Sequence, residues 1–197
     1  MRKDDIKFQE SRFFLADSTL FNIFDFPLIA GNPKTALVEP LSMVISKSSA
    51  KKYFGNENPM GKSLLITDRS FPVKITGIMM DMPENSQFKA DMLASMSTMS
   101  HTFKDTLENQ LSNFGVITYL LLKPNTNSAS LEAKFPGFLK TRVGEMMYKQ
   151  KMQYNLALEP FRDVYLRSDR TEGFETGNIN NVYIFSIIAI FVLLVAY

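Results

Sequence analysis

The sequence predicts an α+β protein whose last segment enters a membrane. Apolar runs with strand character alternate with helix-capping residues through much of the chain. From Val182 onward no side chain is charged, and Ser186 is the only clearly polar residue. A bilayer core takes about 20 apolar residues in helical form, so we expect the start of a transmembrane helix that runs to Tyr197. The alternative is a buried C-terminal core helix, although such helices usually keep a polar stripe.

In the first 113 residues, local sequence signals predict two blocks of strands and helices. An opening β-α-β-like segment consists of a strand over 12–16, a helix over 19–24 capped by Asp17 and Ser18, and an extended segment at 27–30 before a turn at 31–33.

The second block begins with a strand at 43–45. Ser46 is the predicted cap of a helix over 47–54, which ends at Gly55. A strand at 63–67, a loop at 68–70 and a strand at 71–80 follow. Residues 90–99 stay ambiguous between strand and helix, because their methionines have helical spacing but serines interrupt them.

The remaining residues predict a second β-α-β unit and a linker. The unit consists of a strand at 116–122, a helix over 131–147 interrupted at Pro136-Gly137, and a strand at 154–161. Polar residues 168–181 then form a linker. Residues 171–181 contain no Lys or Arg, which favours an extracytoplasmic position for this flank.

Composition excludes several function classes. A net charge of +2, without a long basic run, argues against a nucleic-acid partner. Cysteine is absent, which excludes disulfides and thiolate metal sites. His101 is the only histidine, so a histidine-rich zinc site is excluded too, and its polar neighbours predict a surface position. The first residues do not resemble a signal peptide, because no apolar segment follows them.

The loop from Gly55 to Ser63 is similar to a phosphate-binding loop but departs from it in three ways. Five residues separate Gly55 from Gly61, where a phosphate loop has four. The loop follows a predicted helix and opens a strand, which is the reverse of the required order. Pro59 also removes one amide donor. A helix end followed by a turn explains the same residues, so we predict no nucleotide site.

The 12 methionines leave three interpretations open. They could bind Cu(I), line a groove for an apolar ligand or partner helix, or fill a core. Since no Cys or His accompanies them, core filling is favoured. The acidic residues Asp81, Glu84, Asp163 and Asp169 occur in loops or beside arginines, which indicates solvated ion pairs. We therefore predict no catalytic, cofactor-binding or metal-binding residue.

Several segments resemble the extracytoplasmic core domain of MacB/FtsX-type ABC transporter permeases, in the variant found in Bacteroides-type bacteria. The most specific is Val44–Lys62, with its strand, helix, Phe-Gly, Asn-Pro and Gly-Lys in order. Ala16–Pro33, Val73–Ser86 and Asn178–Ser186 are similar to other segments of that family.

The resemblance implies a two-lobed fold. Residues 1–40 and 114–176 would form a membrane-proximal βαβ (porter-like) subdomain, 41–113 an inserted α/β lobe, and 177–197 a linker and the start of a transmembrane helix. A first transmembrane helix and a first strand would lie upstream. If the lobes move against each other, hinges are expected near residues 39–41 and 113–115.

The resemblance also implies a function without chemistry in this chain. The domain would lie in the periplasm, on the bacterial inner membrane. A cytoplasmic ABC ATPase subunit, a second permease copy, and an adaptor or a peptide, antibiotic or lipoprotein cargo would be its partners. It would couple ATP hydrolysis to efflux or extraction of a substrate, or only transmit motion. The alternative is an extracytoplasmic ligand-sensing domain of a membrane-anchored receptor, with methionine-lined surfaces as its binding site.

Overall fold

The computed structural model describes residues 1–3, 6–66, 71–103, 115–168 and 176–196. The chain divides into two compact units, Met1–Leu121 and Leu122–Tyr197. The loop predicted at residues 68–70 lies outside the described residues.

The first unit is built on one mixed sheet. Its strands are β1 (Arg2–Lys3), β2 (Ile6–Lys7), β3 (Phe13–Ala16), β4 (Leu28–Gly31), β5 (Ser42–Ser46), β6 (Ser63–Ile66), β7 (Phe71–Met79) and β8 (Met92–Ser95). They follow the order β2-β1-β6-β7-β5-β8-β3, and β4 pairs with β7 beside that path. β5 runs parallel to β7, and β3 runs parallel to β8, whereas β5 and β8 are antiparallel. The prediction of an α+β fold is therefore confirmed.

The centre of the sheet is buried on both faces. Every residue of β5 and β8 is buried, which explains why both strands read as continuous apolar runs and not as alternating ones. Met43 and Ile45 belong to one apolar cluster together with Tyr53 and Phe54. Val44 faces the other cluster, whose other buried members are Ala16, Ala36, Leu37, Met79, Ala90 and Leu93.

The long strand β7 alternates as predicted, with Val73, Ile75 and Met79 buried. A register shift between Met43 and Val44 of β5 changes the face that β7 presents beyond Ile75. Val73 and Ile75 therefore join the first cluster, and Met79 joins the second.

Gly31 allows β4 to approach β7 closely. Gly31 pairs with Gly77 and has a φ of +97°, a conformation that favours glycine. A Cβ atom on Gly31 would lie 2.5 Å from the carbonyl oxygen of Thr76. This contact explains the glycine at the turn that the sequence predicts.

Helix α1 (Leu20–Ile23) follows β3, and helix α2 (Lys47–Phe54) follows β5. The prediction for α2 is confirmed to the residue. The Ser46 hydroxyl accepts a hydrogen bond from the Ser49 amide at 3.1 Å, and the helix ends at Gly55 with a φ of +60°. The ambiguous residues 90–99 prove to be β8 followed by helix α3 (Ser97–Phe103).

All regular secondary structure described in the second unit is helical. It contains α4 (Ser128–Glu132), α5 (Phe135–Gln150), α6 (Phe161–Arg167) and α7 (Ile179–Ala196). Pro136 lies in the first turn of α5, where its missing amide is harmless, so the predicted interruption marks a helix start.

The two strands predicted at 116–122 and 154–161 are wrong for this structure. Residues 116–122 and 154–160 form no ladder, and Phe161 begins α6. β-branched and aromatic residues favour strands only where a partner strand completes the hydrogen bonds, and among the described residues these segments have none.

The sheet crosses the predicted lobe boundary between residues 40 and 41. β3 and β4 precede this boundary, yet they pair with β8 and β7, which follow it. The sheet thus joins residues 1–40 to residues 41–103. The grouping of residues 1–40 with residues 114–176 stays a prediction.

Helix α7 is the one described helix that is long and apolar enough to cross a membrane. It has 18 residues, a mean hydropathy of 2.4 and none of that window buried. Its exposure on every side argues against the buried core helix that the sequence left as an alternative.

We expect the folded sheet to survive deletion of residues 182–197. Because α7 buries none of its apolar window, the deletion removes almost no packing. The free energy of unfolding of the remainder should change by less than about 0.5 kcal/mol, the usual range for changes away from packed features. Urea unfolding of both proteins in the same detergent, followed by far-UV circular dichroism, measures this. Loss of the folded baseline after the deletion would show that the segment belongs to the core.

Candidate functional site

The glycine-containing loop after α2 is closed by its own hydrogen bonds. The Gly61 amide donates to the Ile75 carbonyl at 2.8 Å, and the Lys62 amide donates to the Pro59 carbonyl at 3.0 Å. The Met60 amide donates to the side chain of Asn58 at 3.0 Å. These donors are used within the fold, so the loop does not present the row of amides that a phosphate requires.

The lysine of this loop is also engaged within the protein. Lys62 forms a short ion pair with Glu57, and the Lys3 ammonium lies 3.8 Å from the same carboxylate. The hydrogen bond from Lys62, followed by the charge of Lys3, holds the pKa of Glu57 below its ordinary value. The Lys3 ammonium also lies 4.9 Å from the centre of the Phe54 ring. Through its contacts with Glu57 and Phe54, Lys3 connects strand β1 to the end of helix α2.

Glu10 forms a second polar group with the side chains of Lys52 and Tyr53 on α2. Its carboxylate accepts a hydrogen bond of 2.5 Å from the Tyr53 hydroxyl and one of 2.8 Å from the Lys52 ammonium. The Phe8 ring packs edge-on against Tyr53 at 5.4 Å, and Lys52 lies 4.2 Å above it. Burial raises the pKa of Tyr53 far above its ordinary value of 10.0, and Glu10 raises it further. Tyr53 therefore stays protonated and cannot act as a base.

Two aspartates close to α2 complete the acidic groups of this region. Asp81 accepts hydrogen bonds of 2.9 Å from both the amide and the hydroxyl of Ser48, so it stabilises the first turn of α2. Burial raises the pKa of Asp91, the charge of Arg12 opposes this rise, and Glu10 and Asp81 add to it. Among the residues that the structure describes, no three acidic or histidine side chains are grouped to hold a metal ion.

The other residues singled out from the sequence lie apart from these groups. His101 is exposed on α3, as predicted. Met43, Met79 and Met92 are fully buried in the sheet, which supports core filling over copper binding. Asp163 lies 3.8 Å from Arg162 and 3.5 Å from Arg167, in the predicted kind of ion pair. Asp169 lies outside the described residues.

A connection that the sequence did not single out is held by hydroxyl groups. We call residues 36–41, which cross the sheet before β5, the strap. Four hydroxyls donate to strap carbonyls: Thr76 to Ala36 at 2.6 Å, Ser95 to Leu37 at 2.7 Å, Ser97 to Val38 at 3.1 Å and Ser42 to Glu39 at 2.6 Å. The Thr98 hydroxyl accepts from the Leu41 amide at 2.9 Å. Residues 39–41 are therefore poorly suited to be the predicted hinge, and residues 113–114 lie outside the described part of the chain.

An aromatic cluster is the other feature that sequence analysis missed. Phe24 stacks with Phe26 at 5.5 Å and meets Tyr119 edge-on at 4.9 Å. Phe88 lies 5.7 Å from both Phe14 and Phe26. All five rings are half-buried, and burial raises the pKa of Tyr119. The residues come from four separate segments, so no local pattern could have revealed the cluster.

These groups define a class of protein. The polar side chains near α2 and the strap are spent on hydrogen bonds within the fold, and one apolar helix is left without burial. The arrangement is that of an α+β domain whose chain continues into one candidate membrane helix.

Comparison with known proteins identifies the family. Residues 4–137 match the MacB-like periplasmic core domain, and this chain belongs to that family. It is thus a MacB-like periplasmic domain of an ABC transporter permease, and the family predicted from the sequence is confirmed. No functionally curated protein matches the chain.

Two solved structures are similar to this chain to different degrees. A domain of a protein provisionally named a permease, from Porphyromonas gingivalis, is 28% identical, with a TM-score of 0.53 over 71% of this chain and 63% of that one. The periplasmic region of MacB from Actinobacillus actinomycetemcomitans is 18% identical, with a TM-score of 0.41 over 72% and 64%. This chain therefore spans less than two thirds of either structure. The Porphyromonas structure fits the predicted likeness to permeases of Bacteroides-type bacteria.

We expect that ATP does not bind this chain saturably. The amides of Met60, Gly61 and Lys62 and the Lys62 ammonium already have partners within the fold, so the loop does not present a row of free donors to a phosphate. Isothermal titration of ATP into the native chain, Lys62→Ala and the control Lys74→Ala should give the same flat response. Saturable binding that Lys62→Ala abolishes and Lys74→Ala keeps would contradict the analysis of the loop.

Tyr53 should make the stability of the sheet fall at alkaline pH. Its pKa is raised in the folded state, so its contribution is full below pH 10.0 and declines as pH rises above that value. Tyr53→Phe should cost about 1.5–3 kcal/mol at neutral pH, because a hydrogen bond to a charged group is lost. The difference in unfolding free energy between the native chain and Tyr53→Phe should shrink above pH 10.0. A difference that stays constant up to the alkaline limit would contradict the pKa shift.

Proposed function

We propose that this chain is the periplasmic part of a permease subunit that transmits ATP-driven motion across the inner membrane. A cytoplasmic ABC ATPase subunit would hydrolyse ATP, and α7 would cross the bilayer as one of the permease's membrane helices. The observation that carries the proposal is α7, an 18-residue apolar helix without burial, in a member of the MacB-like periplasmic family.

The construction of the first unit supports a mechanical role. A domain that transmits motion must resist deformation, and here the central strands are buried on both faces. The strap adds five side-chain hydrogen bonds from β5, β7, β8 and α3. A displacement applied to one part of this unit would therefore move the whole sheet.

The polar groups support a role without catalysis. An enzyme site needs a nucleophile or base with a free face towards substrate. Glu10, Tyr53, Asp81 and Lys62 are each engaged in hydrogen bonds or ion pairs that hold α2 in place. We propose that substrate movement, whether of a peptide, an antibiotic or a lipoprotein, depends on surfaces and not on chemistry in this chain.

The partners follow from the same proposal. Two permease copies would form a dimer, and each would receive motion from an ATPase subunit. The half-buried aromatic cluster is the part of the first unit best suited to touch a second copy, an adaptor or a cargo. Aromatic side chains are enriched where proteins make contact, because they bury large areas.

Two observations favour the permease proposal over the ligand-sensing alternative. The methionines that could have lined a binding surface include three that fill the core of the sheet. A depression along α5 is lined by residues of that helix alone, Arg142, Glu145, Met146, Lys149 and Gln150, and is wide open. Ligand sites are usually enclosed and mostly apolar.

Purification of the full-length permease from its native membrane should test the proposal. We expect an ABC ATPase to co-purify, and its ATP hydrolysis to change when the permease is removed. Isolation of a kinase or cyclase on the same polypeptide, with no ATPase, would favour a sensor.

Spin labels can show whether ATP moves this domain. These 197 residues lack cysteine, so Ser100→Cys on the exposed part of α3 adds one label site to this domain once any cysteines elsewhere in the complex are replaced. In the reconstituted complex, the distance between the labels of the two copies should change when ATP binds. Addition of ADP alone is the matched control. An identical distance distribution with ATP and ADP would contradict ATP-driven motion of the domain.

A further inference from the structure

Helix α6 carries two half-exposed aromatic side chains on one face. Phe161 and Tyr165 are four residues apart, so they lie above one another on the helix surface. Their exposed fractions are 54% and 50%. Arg162 and Arg167 are largely exposed and share one acidic neighbour, Asp163, so the helix keeps a net positive charge. Aromatic rings beside basic side chains are typical of segments at a membrane surface.

The structure fixes α6 beside the start of α7. The Gly177 amide donates a hydrogen bond of 2.7 Å to the Tyr165 carbonyl. A Cβ atom on Gly177 would lie 2.9 Å from the Tyr165 ring and 2.9 Å from the Leu166 side chain. The absence of a side chain at Gly177 thus lets α6 pack directly against the chain just before α7.

This contact sets the height of α6 relative to the apolar segment. The Val182 amide donates to the Asn178 carbonyl, so the helical rise from Asn178 to Val182 is about 6 Å. The step to Gly177 adds at most about 3.4 Å. If the apolar segment begins at Val182, Gly177 lies no more than about 9 Å above the hydrocarbon core. The headgroup zone is about 5–8 Å deep on each side, and any tilt of α7 lowers α6 further towards it.

We infer that α6 lies on the membrane surface, with Phe161 and Tyr165 inserted among the lipid headgroups and Arg162 directed to their phosphates. The inference rests on the proposed function, because it takes α7 as the membrane helix. The partner is the lipid bilayer itself. Tyrosine rings prefer this level, since one end of the ring is apolar and the hydroxyl stays hydrated. Helix α6 would then fix the position of the domain where it meets the membrane.

The chain contains no tryptophan, so single-tryptophan variants report depth without background. The variants are Phe161→Trp and Tyr165→Trp on α6, Phe185→Trp within α7, and Ile29→Trp on β4. Ile29 is 50% exposed, as Tyr165 is, which makes it a matched reference in the sheet. Each full chain is reconstituted in vesicles of phosphatidylethanolamine and phosphatidylglycerol that carry bromines either near the headgroup or at the chain end.

We expect both α6 variants to lose emission most with bromines near the headgroup. Phe185→Trp should respond more strongly to the deeper bromines, and Ile29→Trp shows the response of an equally exposed residue of the sheet. Emission of Phe161→Trp and Tyr165→Trp that is the same in brominated and unbrominated vesicles would overturn the inference while leaving the membrane helix intact. An unquenched Phe185→Trp would instead overturn the membrane assignment of α7, and the inference with it.

A second variant tests the contact that holds α6 in place. The variant is Gly177→Val combined with Tyr165→Trp. A branched side chain has no room at residue 177, so the substitution should push α6 at residue 165 away from the chain before α7. Quenching at Tyr165→Trp should fall, while a chain that carries Gly177→Val and Phe185→Trp, with Tyr165 unchanged, stays quenched. Unchanged quenching at Tyr165→Trp would contradict the role of Gly177.

Discussion

The burial of β5 on both faces is the constraint on which the rest of the first unit depends. A strand with five buried residues needs apolar cover above and below the sheet. Tyr53 and Phe54 of α2 cover one face, and Ala36 and Leu37 of the strap cover the other. The serines at the two ends of β5 hold this cover in place. Ser46 caps α2, and Ser42 donates to the Glu39 carbonyl of the strap. The two serines of β5 therefore form hydrogen bonds with both of the segments that cover the strand, α2 and the strap.

Sequence analysis succeeded where the determining interactions are local. The cap at Ser46, the helix end at Gly55 and the alternation of β7 can each be recognised within a few residues. It failed at residues 116–122 and 154–160, because strand character is realised only with a partner strand. Nor could it find the strap, since Ser95 and Leu37 are 58 residues apart and a hydrogen bond over that separation leaves no local pattern. The expectation of no catalytic residue rests on the single histidine and the missing cysteine, and it stays a prediction.

Polar side chains in this fold form hydrogen bonds with backbone and side-chain groups that pack near the sheet. Glu10 satisfies the buried Tyr53 hydroxyl, and Asp81 satisfies the first turn of α2. Serine and threonine hydroxyls satisfy the strap carbonyls, which would otherwise lie near the sheet without partners. A domain whose polar groups are committed in this way has few left for substrate chemistry. This use of polar groups is consistent with the mechanical role proposed for the domain.

The same hydrogen bonds restrict where such a domain can flex. If each of the five strap hydrogen bonds contributes about 1 kcal/mol, opening the strap costs about 5 kcal/mol. The open state would then be populated at a level of about one in several thousand, too rarely to serve as a working hinge. Residues 122–127, which enter the second unit, have no ladder and contain Pro124 and Asn125, the latter with a φ of +61°. Bending there breaks no sheet hydrogen bond. The strap hydrogen bonds therefore argue against a hinge within the sheet at residues 39–41.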